Sequence, residues 1–135
     1  WINLSRTDPD AIADLARVEA MMARALEIDP AFYYGGPHLF FGVYLGGRSR
    51  LLGGDPKKAK GHFERAIAMT KGRFLMAKVL YARHYAVQVQ DRALFLRLLK
   101  EVESAPPGGL PAQALANALA RGRAAELRER VADLF

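Results

Sequence analysis

The chain contains no cysteine, which excludes disulfides, thiolate metal sites and thiol nucleophiles but names no compartment. Long apolar runs are missing too. The longest, Ala31 to Leu45, is broken by Gly35, Gly36, Pro37 and His38, so nothing approaches the ~18 residues of a membrane span. No stretch alternates β-branched and polar residues as strands do. There is no G-x-S-x-G elbow, no phosphate-cradling glycine loop and no cysteine–histidine pair. His38, His62 and His84 fall on three different helical stretches without metal-ligand spacing. We therefore expect no enzyme, no metal and no cofactor. The chain starts at Trp1, with no initiator methionine, basic n-region or signal-like apolar segment at its start. It is expected to be a fragment of a longer precursor.

What is present suits one globular domain: 135 residues, 51% hydrophobic and 25% charged. The net charge of +6 is uneven, because residues 48–100 hold thirteen basic groups against Asp55, Glu64 and Asp91, a local +10. Such a segment suits an anionic partner or a solvated helix surface. Nucleic acid is not expected, since neither a groove-reading helix nor an aromatic platform on a sheet is visible.

The chain reads as all-α with about six helices. Thr7-Asp8-Pro9 caps and opens the first, which carries Ala11, Leu15, Val18, Met22 and Ala25 on one face and stops at Asp29-Pro30. Pro37 opens a second helix to about Leu45, apolar all round, whose Gly42 calls for close approach of a neighbouring helix. Asp55-Pro56 starts a third, ending near Thr70 to Gly72. The fourth spans about Arg73 to Val89, and Asp91 caps a fifth with Leu94, Phe95, Leu98, Leu99 and Val102 inward. After the break at Ala105-Pro106-Pro107-Gly108-Gly109, Pro111 begins a long last helix. Leu115 and Leu119 mark one side of it, while Leu127, Val131 and Leu134 mark a side rotated by roughly 100°. Gly122 lies at the change, so a bend is expected there.

Helix pairs repeat. Ala59-x3-Phe63-x2-Ala66 has the small–large–small spacing of a tetratricopeptide second helix, where small residues admit a neighbour and the ring fills its groove. Val18-x3-Met22-x2-Ala25 and Leu94-x3-Leu98 are looser copies. The fold expected is a tetratricopeptide-like array of antiparallel helix pairs in a single domain, residues 1–135, with a long bent C-terminal helix.

Three blocks in order, GGDPKKAKGHFERAIAMTKGRF, LMAKVLYARHYAVQVQDRALFLRLLKEV and LANALARGRAAELRERVADLF, resemble the T-component family of tripartite ATP-independent periplasmic (TRAP) transporters. The resemblance implies a periplasmic helical scaffold that partners a substrate-binding P component. It also implies self-association, a hydrophobic path for ligand, and a lipid tether on an N-terminal segment. The lipid-bearing cysteine of that pattern is absent from these residues, and Arg48-Ser49-Arg50-Leu51 replaces a more proline-rich loop.

Two aromatic concentrations are candidate sites. Phe74, Lys78, Tyr81 and Tyr85 follow i, i+4, i+7, i+11 on one helical stripe. They read as a ligand-facing wall, with rings for an apolar body and Lys78 for a carboxylate, or alternatively as repeat packing with the lysine stem lying over the rings. Phe40, Phe41 and Tyr44 are candidates for the same wall, and Tyr33 and Tyr34 for a homo-oligomer interface. A small hydrophobic or anionic ligand fits these residues. The functional alternative is a tetratricopeptide adaptor that holds a peptide or protein partner.

Overall fold

The computed structural model describes residues 9–29, 32–48, 51, 53–106 and 113–135, and leaves aside the side chains of residues 9–15, 32 and 33. Thr7, Asp8, Pro30, Ser49, Arg50, Pro107 to Gly109 and Pro111 lie outside these residues. Among the described residues the chain forms seven α-helices and no strand: α1 Pro9–Ile28, α2 Phe32–Gly46, α3 Pro56–Met69, α4 Leu75–Tyr81, α5 Arg92–Glu103, α6 Ala114–Glu129 and α7 Val131–Leu134. A π-helical segment, Ala82–Ala86, continues α4. The helices pack in sequence order, with α2 against α3 the most extensive contact, and α4 and α5 covered on one side by α6. None is long and apolar enough to cross a membrane.

Local chemistry explains most of these boundaries. Asp55 accepts a hydrogen bond from the Lys58 amide at 3.2 Å, and Asp91 accepts one from the Leu94 amide at 3.0 Å. Each satisfies one of the four N–H groups that a helix start leaves open. Helix α2 begins earlier than Pro37 suggested. Tyr34 (φ 58°) and Gly35 (φ 80°) turn its first residues through left-handed conformations, so the regular helix resumes at the proline, where a missing N–H costs nothing.

The small–large–small pattern of α3 forms the seam with α2. Ala59, Phe63 and Ala66 are fully buried or nearly so. A Cβ on Gly42 would lie 2.8 Å from the Phe63 ring, so the mid-helix glycine is the groove into which that ring fits. From there the core runs through Leu75, Val79, Tyr81, Phe95, Leu98, Leu99 and Val102 to Ala120, Ala124 and Leu127.

Two expectations are corrected. The fourth helix is not regular to Val89, since from Ala82 it widens into i→i+5 hydrogen bonding, with the Val87 amide donating to the Ala82 carbonyl at 3.3 Å. At Gly46 a Cβ would meet the His84 carbonyl at 2.9 Å, so the end of α2 presses directly on this widened backbone. The last helix does not bend at Gly122. Helix α6 runs through that residue, which has open space where a Cβ would be, and the break falls at Arg130. A phase change in large apolar residues had suggested the bend, but α6 turns small ones inward: Asn117, Ala120 and Ala124 are buried, while Leu115 and Leu119 are exposed.

Asn117 on that inward face reaches across the core to the start of α4. Its side chain accepts a hydrogen bond from the Leu75 amide at 3.0 Å and donates one to the Arg73 carbonyl at 3.0 Å. Helix α4 has no side-chain cap of its own at Phe74, so α6 supplies one across the core. Replacing Asn117 by Leu would leave the buried Leu75 N–H unpaired. It should lower stability by about 1–3 kcal/mol, read as a lower urea midpoint with an unchanged m-value.

Candidate functional site

The described aromatic residues singled out from the sequence fall into three groups of ring contacts on α2, α3, α4 and the π-helical segment. Tyr34 stacks on Phe74 with centroids 5.4 Å apart, and Phe63 stacks on Tyr81 at 5.1 Å. Tyr81 meets Tyr85 at 5.3 Å. Offset ring pairs of this kind add roughly 0.5–1.5 kcal/mol each beyond their buried area. Phe74 and Tyr81 are buried, whereas Tyr85 is half-buried. The Tyr81 hydroxyl reaches Glu64 at 3.4 Å. Burial first, and then the Glu64 charge, raises its pKa above the usual tyrosine value, so the phenol stays neutral and donates.

Lys78 lies on the same stripe, and its charge is answered within the chain. Its Nζ is 3.4 Å from Glu101 of α5, and only 15% of its side chain is exposed. The stripe therefore joins α4 to α5 through an ion pair and to α2 and α3 through rings.

Phe40, Phe41 and Tyr44 of α2 form a separate ring group, all half-buried. Phe40 packs edge-on against Phe41 at 5.2 Å and stacks on Tyr44 at 5.7 Å. The Tyr44 hydroxyl donates to Glu19 of α1 at 2.7 Å, and the Arg48 guanidinium lies 4.1 Å from the Tyr44 ring centroid. Tyr44 thus holds α1 to α2 while keeping one ring face toward a cation. The side chain of Tyr33 lies outside the described residues.

One juxtaposition went unseen in the sequence. His38 of α2 and His62 of α3, 24 residues apart, have their Nδ1 atoms at 2.9 Å. One ring must carry the proton and the other offer its lone pair, so the bond requires at least one neutral imidazole. Phe41 packs beside His62 with centroids at 5.5 Å. Burial lowers both pKa values, with the Arg65 charge adding to it at His38, and with His38, Arg65 and Lys58 adding to it at His62. Only the pairing of α2 with α3 brings the two rings together, and no spacing rule within one helix finds it. Among the described residues no three histidine, aspartate or glutamate side chains gather as a metal site would need.

These residues offer ring faces, hydroxyls held by Glu19 and Glu64, a paired imidazole couple and a lysine answered by Glu101. A comparison with curated proteins finds no significant match. The model of the TRAP transporter T-component family matches residues 1–135, the whole length, and the chain belongs to that family.

Proposed function

We propose that this protein is the non-enzymatic periplasmic scaffold of a TRAP-type solute transporter, docking on the substrate-binding protein and guiding a hydrophobic or amphiphilic anionic ligand. The observation that carries the reading is the family match over the full length. The fold supports it in a general way. Helix pairs stacked in order leave extended outer faces, and tetratricopeptide-like arrays use such faces for protein contact. Lipid tethering through an N-terminal segment and self-association through Tyr33 and Tyr34 belong to the same proposal.

Among the aromatic residues, ligand contact would fall to the half-buried Phe40, Phe41, Tyr44 and Tyr85 rather than to the buried Phe74 and Tyr81. Lys78 could take part only by leaving Glu101.

The test is direct. The purified chain, mixed with the substrate-binding protein of its transporter, should elute as a complex with a mass by light scattering equal to the sum of both. Independent elution at tens of micromolar, together with capture of an extended peptide in the groove, would favour the adaptor reading instead.

A further inference from the structure

A cavity of about 180 Å³ opens between α4, the π-helical segment and α6. It is not on the aromatic stripe. Leu80, which lines it, stands two residues on from Lys78, roughly 200° around a helix of 3.6 residues per turn. Its deep wall is apolar: Val79 and Leu127 are buried, at 3% and 7% exposure, with Leu80 beside them. Its rim is basic: Arg83, Arg123 and Arg130 are exposed, with Glu126 as the one carboxylate in the lining.

These charges are not balanced. Arg128 of the same helix is engaged by Glu103 at 2.6 Å, but no ion pair among the described residues holds Arg83, Arg123 or Arg130. Three guanidiniums against one carboxylate leave two positive charges in excess over an apolar wall. The widened π-helical turn contributes two consecutive lining residues, Arg83 and His84. Such turns inside α-helices are frequent at functional sites. Cavity, charge excess and π-helical turn coincide here.

We propose that this cavity binds a small carboxylate with an apolar body of about six carbons, the body against Val79, Leu80 and Leu127 and the carboxylate among Arg83, Arg123 and Arg130. The size follows from volume, since an apolar cavity of ~150 Å³ accepts benzene. The head group follows from the charge excess and from residue type, because planar guanidiniums bind carboxylate through paired hydrogen bonds. The inference goes beyond the reading above: it adds a second site, apart from the aromatic residues named there, for a ligand of the amphiphilic anionic class. Docking to the substrate-binding protein can fail while this site binds, and the reverse also holds.

Titration of the whole chain with sodium hexanoate, followed by methyl NMR and calorimetry at pH 7 and low salt, tests it. Saturable shifts at Val79, Leu80 and Leu127 are expected. Hexan-1-ol and inorganic phosphate should each bind at least tenfold more weakly, and hexylammonium should not bind. Arg83→Gln with Arg123→Gln should weaken hexanoate at least tenfold with an unchanged unfolding midpoint. If that pair fails to fold, Arg123→Gln alone should weaken it about threefold, as expected for one exposed charge-assisted contact. Lys78→Ala should leave the affinity unchanged. No shift at the three methyl-bearing residues, equal affinity for hexan-1-ol or phosphate, or a loss in Lys78→Ala matching that of the arginine variants would overturn the proposal.

Discussion

Phe63→Ala should destabilise the protein by about 3–5 kcal/mol, the largest loss expected from any single substitution. The ring is fully buried, stacks on Tyr81 at 5.1 Å and fills the groove left by Gly42. Truncation removes its transfer free energy and leaves a cavity between α2 and α3 that only partial collapse can fill. Domains of this size are stable by roughly 5–15 kcal/mol, so the variant should sit near the edge of folding. Urea denaturation gives the loss directly. A second substitution tests the mechanism. Gly42→Ala places a methyl 2.8 Å from the Phe63 ring, an overpacking worth about 1–3 kcal/mol. In the Phe63→Ala background that clash disappears and the helical preference for alanine remains, so Gly42→Ala should become neutral or stabilising by up to about 1 kcal/mol. Equal costs in the two backgrounds would show that the contact is not what sets stability here.

Acid should weaken the fold before the carboxylates do. Burial, and then the charge of Arg83, lowers the His84 pKa to about 4, and His38 and His62 are lowered as well. A histidine whose folded pKa lies below its unfolded value near 6.5 takes up protons more readily in the unfolded chain. Its stabilisation is complete above pH 6.5, falls as the pH drops, and levels off below the folded value. For His84 the window is pH 6.5 to about 4, and the loss across it is on the order of 3 kcal/mol. The two closest imidazoles act in the same direction, because a second proton on the His38–His62 pair removes the shared hydrogen bond beside Arg65 and Lys58. The urea midpoint should decline through this window. His84→Gln should flatten the decline, and an unchanged slope would clear His84 of responsibility.

Much of the architecture was readable in the residues. Asp55 and Asp91 cap where oxygen-bearing side chains before helical patterns cap, because the bond spans three residues of the same chain. Ala59-x3-Phe63-x2-Ala66 announced a packed face, and Gly42 announced a close neighbour. The aromatic stripe was visible as a stripe, but its surroundings were not. Glu101, which answers Lys78, belongs to another helix. Periodicity also favoured the wrong side of α6, because leucines outweigh alanines in any apolar pattern although Ala120 and Ala124 are the residues that pack.

The sequence alone determined that the chain is helical, where most helices begin, and which family it joins, since these depend on local hydrogen bonding, periodicity and the order of blocks. Tertiary structure decided the rest. It placed Asn117 over the start of α4 and put the His38 and His62 rings in contact. It widened the backbone at Ala82–Ala86 where Gly46 presses on it, and opened a basic-rimmed cavity away from the aromatic stripe. Each of these depends on the distance between residues far apart in the chain, which packing sets and local spacing cannot encode.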